Sequence, residues 1–235
     1  MIQIRRSAER GHADLGWINS YYTFSFAGYR DPAHMGFRAL RVINDDRIAP
    51  GRGFGAHAHR DMEILTYVLD GGLTHRDSMG ESQTFGANTI QAMSAGTGVI
   101  HSEFNASGKD PGHFLQIWIE PAISDAEPAY QQISLEPREK RGRFRLLAAP
   151  HGSDNREVIK INQDALIYAA VLGSGESLGK NLAPGRYGWV QVARGNVSVN
   201  GEALEEGDGA AVSSEQDLSF IGGAGGSEFL FFDLA

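Results

Sequence analysis

Two stretches decide how this chain is read: Gly51-Arg-Gly-Phe-Gly-Ala-His57-Ala-His59-Arg-Asp-Met-Glu63 and Gly96-Thr-Gly98-Val-Ile-His101-Ser-Glu103-Phe-Asn105. Each carries a pair of metal-ligating side chains two residues apart, and in a strand such residues project from one face. His57 and His59 therefore aim two imidazoles at one point, and Glu63 shares their parity if the strand stays regular. His101 and Glu103 form the second pair. A lone His-x-His is more often two solvated or hydrogen-bonded histidines than a ligand pair. Two pairs, each led in by glycines in a β-rich chain, reverse that judgement. Facing each other across a barrel they supply three imidazoles and a carboxylate. Such a set suits iron, manganese, nickel, copper or zinc and leaves positions for water or substrate.

Outward from these motifs the chain reads as strands and turns. Residues 64–69 form a short buried strand, followed by the turn signal Gly71-Gly72. Residues 114–119 form another, stopped by Pro121. The alternation in Trp189-Val190-Gln191-Val192 and Val197-Ser198-Val199, on either side of Arg194-Gly195-Asn196, predicts a hairpin, and Asn200-Gly201 is a tight-turn pair. Gly222-Gly223-Ala224-Gly225-Gly226 reads as a flexible hairpin loop, and residues 229–234 as a closing strand. Helical periodicity is scarce, so the expected class is all-β, sandwich or barrel. Residues 123–155 break the pattern with Pro128, Pro137, Pro150 and the cluster Arg138, Lys140, Arg141, Arg143 and Arg145. That cluster reads as a solvated connection rather than a nucleic-acid patch. The resulting division is a β unit over 1–135, a connection over 136–149 and a second β unit over 150–235. Their loose likeness makes an internal duplication plausible.

Composition narrows the function classes. A chain of 235 residues allows one large domain or two small ones, and its 30 glycines are about twice the ordinary share of roughly 7%. There is no cysteine, which excludes disulfides, zinc fingers, iron–sulfur clusters and thiol catalysis. The formal net charge of −8 argues against a general nucleic-acid or anionic-membrane binder. No apolar run approaches the ~20 residues of a membrane span, and no signal-peptide pattern opens the chain. A cytoplasmic location is expected, which makes the glycosylation-like triplets at Asn105 and Asn196 noise.

Here the sequence resembles a known superfamily. Gly51-x5-His57-x-His59-x3-Glu63 is similar to the opening of the first cupin motif, and Gly98-x2-His101-x3-Asn105 to the end of the second, with Gly96 where a proline is usual. Further stretches resemble the pirin family, in particular its bacterial quercetinase-like members. They include Arg10-Gly-His12, Gly16-Trp17, Thr23-Phe24-Ser25-Phe26, the run from Gly36 to Asp46, His75-Arg-Asp77-Ser-Met-Gly80 and Met93-Ser-Ala-Gly. The resemblance implies a bicupin, two β-barrel or jelly-roll units, with one metal per chain in the N-terminal unit only and usually iron. The implied ligands are His57, His59, His101 and Glu103. Glu63 fits the general cupin ligand position, but the resemblance gives the carboxylate to Glu103 and leaves Glu63 a supporting or structural role. The C-terminal unit, with His151 and no His-x-His, is expected to be metal-free.

The resemblance also implies an activity: opening of flavonols such as quercetin by dioxygen, with Glu103 as the base that takes the proton of the substrate's 3-hydroxyl. Phe24, Phe26, Phe37, Met62 and Met93 are candidates for a substrate wall. The alternative it implies is a non-enzymatic, redox-sensing regulator that binds a protein partner, without direct contact to nucleic acid. His75 and Asp77 either line or orient the metal site or form a cross-strand structural pair. His12, His34 and His113 read as surface or packing residues, and Gly51-x-Gly53-x-Gly55 as the turn into the metal strand rather than a phosphate cradle.

Overall fold

The computed structural model describes residues 1–155 and 157–235. Its elements are β-strands, joined by turns and two single-turn 3-10 helices, Ser7–Glu9 and Pro137–Glu139. No helix among the described residues is long and apolar enough to cross a membrane. The all-β expectation holds. The chain divides into two compact units, one of residues 11–135 with 159–163, the other of residues 1–10, 136–158 and 164–235.

The first unit is built on two antiparallel sheets. The smaller has four strands in the order Gly53–His59, Val99–Asn105, Gly72–Asp77, Ser82–Gly86. The larger has seven, in the order Ala129–Ser134, Thr89–Ser94, Glu63–Asp70, Gly112–Ile119, Leu40–Ile48, Ile18–Tyr22, Gly11–Asp14. In Val99–Asn105 the odd-numbered side chains are buried while Ile100 and Phe104 are exposed, the period-two pattern of a strand with one face inward. Ile18, Ile48, Val68, Leu73, Phe85 and Phe114 form one apolar cluster of this unit, and Ile64, Met93 and Val99 another.

Two glycines set how its strands meet. A Cβ on Gly53 would lie 2.2 Å from the Glu103 carbonyl oxygen, so glycine is what lets these two strands approach. Gly96 has φ +42°, and a Cβ there would lie 1.9 Å from the Ala126 carbonyl oxygen. Proline, fixed near φ −65°, cannot adopt that conformation, which accounts for the departure from the cupin pattern at this position.

In the second unit a sheet runs Ile2–Arg5, Gly209–Val212, Tyr187–Val199, Asp217–Leu234, Ala165–Leu172, Arg145–Pro150. Ser177–Asn181 pairs with Asp217–Leu234, and Glu202–Glu205 with Tyr187–Val199. Phe220 and Phe229 stack with centroids 5.1 Å apart, and Phe144 and Phe231 pack edge-on or tilted around them. The hairpin expected around Arg194-Gly195-Asn196 is absent: residues 187–199 are one strand with register shifts on both sides of Gly195. Gly222–Gly226 is likewise no loop. Gly195 pairs with Ser227 and Val197 with Gly222, so residues 223–226 bulge opposite Asn196 alone. A Cβ on Gly223 would overlap the Asn196 amide, so the glycines here make room for a neighbouring strand. The real turn is Asn200-Gly201, with φ 49° and 89°.

The basic cluster also differs from its reading as a solvated segment. Arg145–Pro150 is a strand, and Lys140 is only 3% exposed, its ammonium paired with the Glu228 carboxylate. Removing one partner of a buried pair leaves an uncompensated charge. Lys140→Ala is therefore expected to cost about 3 kcal/mol in urea denaturation. Arg138→Ala, at an exposed position, is expected to stay within about 0.5 kcal/mol of the parent.

Candidate metal centre

The site is assembled by pairing across three strands. Val99–Asn105 pairs with Gly53–His59 on one side, His101 opposite His57 and Val99 opposite His59. It pairs with Gly72–Asp77 on the other, His101 opposite Asp77 and Glu103 opposite His75. Residues directly opposite in an antiparallel pair share a face. On the His-x-His strand the register slips by one residue, so that Phe54, not Gly55, faces Glu103. The slip places Phe54 on the face of His57 and His59 despite its opposite parity. Two rows result, His57–His101–Asp77 and Phe54–Glu103–His75.

Donor atoms of His57, His59 and His101 lie within 4.8 Å of one another, and so do those of His75, His101 and Glu103. Glu103 thus groups with His101 and His75. Glu63 is in neither group. Asp61, at φ 46°, breaks the first motif into two strands of different sheets, and Glu63 turns to accept hydrogen bonds from Ser94 Oγ at 2.7 Å and Asn162 Nδ2 at 2.9 Å. The parity shared with His57 and His59 is lost at that turn.

The residues fit a cation. His57 Nδ1 donates to the Gly55 carbonyl at 2.8 Å, which leaves Nε2 as a free lone pair. His101 is 2% exposed and neither of its ring nitrogens has a partner among the described residues, an arrangement that costs free energy unless something else occupies them. Burial first, then the neighbouring His57, His59 and His75, push His101 down to about 2. Burial and His57 push His59 down to about 4. Both rings are neutral at physiological pH, the form that binds a metal.

Glu103 is fully buried, and its carboxylate is held by the larger sheet. Oε1 accepts from Gln91 Nε2 at 2.6 Å and Thr66 Oγ1 at 3.3 Å, and Oε2 accepts from Gln116 Nε2 at 3.2 Å. Gln91, Thr66 and Gln116 are cross-strand neighbours, a polar row inside otherwise apolar strands. Burial pushes the Glu103 carboxyl up, with His75 and His57 and the Thr66 and Gln91 hydrogen bonds opposing. His75 Nε2 donates to Asp77 Oδ2 at 2.9 Å, both side chains fully buried, and the Tyr130 ring lies 4.7 Å from His75.

His57 and His59 line a cavity of about 430 Å³. Its other walls are the aromatic side chains of Trp17, Phe26, Phe54 and Trp118, with Gln116 reaching in from the larger sheet. Trp118 meets the His59 ring edge-on at 5.0 Å and Phe26 at 5.3 Å. Cavities of about 450 and 430 Å³ in the C-terminal unit have no imidazole in their walls. Of the five expected wall residues, Phe26 lines the cavity. Phe24 and Met93 are core at 2% and 1% exposure, Met62 packs against the Met93 cluster, and Phe37 pairs in a bridge with Leu40. Gln116 and Trp118 lie two residues apart, so their shared face was legible in Phe114-Leu-Gln-Ile-Trp118; which face it was, the pattern alone leaves open.

Three of the four remaining histidines have local partners, and His151 is exposed. His12 stacks on Tyr21 at 4.5 Å, His34 Nδ1 bonds Asp31 at 2.7 Å, and His113 Nε2 bonds Asp45 at 2.8 Å.

Two family models match successive parts of the chain. Residues 3–119 match the Pirin family and residues 146–234 match the quercetinase C-terminal cupin domain. A protein of Escherichia coli K12 named quercetin 2,3-dioxygenase is 45% identical over 234 residues, covering 100% of this chain and 99% of that protein. A pirin-like protein of Caulobacter vibrioides is 40% identical over 215 residues, 92% of each. The crystal structure of the bacterial pirin YhhW from Escherichia coli in complex with nickel(II) superposes with a TM-score of 0.93 at 44% identity, covering 100% of this chain and 99% of that one.

Beside the centre, Asp46 is 1% exposed and accepts a hydrogen bond from Ser20 Oγ. Burial pushes its carboxyl up to about 7, the Ser20 bond opposing and the charges of Asp45 and Glu103 adding to the rise. The folded state keeps a proton that the unfolded chain, with a carboxyl near ~3.9, has released, so stability falls as pH rises between those values. Asp46→Asn is expected to leave the melting temperature unchanged near pH 4 and to raise it above pH 7, by on the order of 2 kcal/mol in stability. Calorimetric melts across that range measure it.

Proposed function

The chain belongs to the pirin family, and on that footing we propose that it is a metal-dependent dioxygenase of quercetin-like flavonols. The observation that carries this reading is the cluster of His57, His59 and His101, two of whose imidazoles, His57 and His59, line a cavity with Trp17, Phe26, Phe54, Gln116 and Trp118 in its walls. His57, His59 and His101 hold the ion, and Glu103 is the fourth ligand. Iron is the first candidate, with nickel supported by the nickel(II) complex of the related YhhW; manganese, copper and zinc suit the same donors. Bound there, the ion supplies Lewis acidity that lowers the pKa of a hydroxyl in contact with it.

The chain's own residues do the rest. A flavonol is a flat, electron-rich ring system with adjacent oxygens, and four aromatic side chains form a wall matched to such rings. They also limit water at the reacting face. Glu103 takes the proton of the 3-hydroxyl, its basicity raised by burial. Gln91, Thr66 and Gln116 fix both of its oxygens, so no reorientation is needed when the proton arrives. Since Gln116 also lines the cavity, one side chain links the position of the base to the position of the substrate.

Protein loaded with iron, manganese, nickel or copper is expected to take up dioxygen and bleach flavonol absorbance. Full metal loading with no oxygen uptake on any flavonol overturns the dioxygenase reading, as does His101→Ala that has lost its metal and keeps its rate. Glu103→Gln is expected to lower kcat by about 10²–10⁴ through loss of the base. Trp118→Leu is expected to act mainly on KM.

A further inference from the structure

His75 has the surroundings of a metal-bound histidine, although it lies outside the four ligands proposed above. A ligating imidazole ordinarily donates its second ring N–H to a carboxylate, which fixes the tautomer and aims the free lone pair. His75 Nε2 does so, to Asp77 Oδ2 at 2.9 Å. Asp77 is itself fixed, because its Oδ1 accepts the backbone N–H groups of Met79 and Glu81 at 2.9 and 3.1 Å. The other nitrogen, His75 Nδ1, is buried with no partner among the described residues, and the residue is 0% exposed. A structural pair along one strand would account for the Asp77 bond. It would not account for an acceptor nitrogen left bare in the interior, which costs free energy.

The bare nitrogen has company. Donor atoms of His75, His101 and Glu103 lie within 4.8 Å of one another, and His101 has two unpartnered ring nitrogens where one lone pair would serve a single ion. Two imidazoles and one carboxylate are the donor set of non-haem iron centres, and the oxygen donor favours iron or manganese over softer ions. We propose that the centre has a second, inner position for a divalent iron- or manganese-type cation, held by His75, His101 and Glu103. This rests on the centre being a metal site at all. The two positions share His101 and Glu103, so one ion is held at a time, and moving between them exchanges His57 and His59 for His75. The outer position borders the aromatic cavity; all three inner ligands are buried.

The test is a cycle of variants titrated with manganese(II), read by loss of the free-ion electron paramagnetic resonance signal and by elemental analysis after gel filtration. Wild-type protein is expected to bind one equivalent, the half-buried pair variant His57→Ala/His59→Ala still one, His75→Leu one, and the three substitutions together none. A folded His57→Ala/His59→Ala protein that binds nothing while the wild type binds one ion overturns the inner position and leaves the outer one standing. A wild type that binds no ion overturns the metal reading itself. Where the double variant does not fold, His57→Gln/His59→Gln replaces it, with the same requirement that binding survive it and be lost on adding His75→Leu.

Discussion

The candidate site depends on how closely the strand Val99–Asn105 can be approached by Gly53–His59. Their pairing requires the backbone of residue 53 to lie against Glu103 and Phe104, where any Cβ would collide. A second tight point, at Gly72, belongs to the next pairing in the sheet: a Cβ there would come within 2.7 Å of the Phe85 carbonyl oxygen of Ser82–Gly86. With the three strands paired, three histidines and two carboxylates from three distant parts of the chain stand in two rows, and His59 stands beside them opposite Val99. The doubled glycine content is therefore partly a requirement of the site. These residues are small because ladders carrying the ligands must close.

A carboxylate placed in the interior would be costly unless its oxygens were satisfied, and here they are satisfied from the facing sheet. Gln91, Thr66 and Gln116 occupy consecutive strands in register, each where an apolar side chain would otherwise complete the core. The row exchanges hydrophobic burial for a fixed carboxylate orientation, a usual compromise at functional sites. Asp46 pays a different penalty nearby, with a single side-chain hydrogen bond from Ser20 and its carboxyl shifted far upward.

Much of this was legible in the sequence, for identifiable reasons. His57 and His59 follow i, i+2 periodicity, so spacing put them on one face. The expected meeting with His101 across a barrel is corrected: His101 stands beside them on the adjacent strand of the same sheet, a placement set by strand pairing rather than spacing. Glu63 broke the i, i+2 rule because a single left-handed residue, Asp61, ends the strand between it and His59. Phe54 was lost to the one-residue slip beside Gly55, and Trp17 and Trp118 to the difficulty of telling an inward aromatic from a cavity wall. In the C-terminal unit, Gly195 and the 222–226 run carried ordinary turn signals but serve as bulges in long strands. A glycine marks backbone that must bend or be approached, and sequence does not say which. Lys140 looked solvated among its basic neighbours because its partner, Glu228, lies 88 residues away.

The placement of the first residues bears on how the protein is made. Ile2–Arg5 pairs with Gly209–Val212, and the Arg6 guanidinium and Ser7 N–H both bind the buried Asp208 carboxylate. During synthesis the N-terminal segment leaves the ribosome first and its partner strand nearly last. At about 5–20 residues per second, it waits for roughly ten to forty seconds as an unpaired edge. The metal-binding unit, by contrast, has every strand of its two sheets once residue 135 has emerged and adds its last piece at 159–163. On the ribosome the histidine-bearing half can therefore reach its ligand geometry while the other half still lacks both of its longest strands.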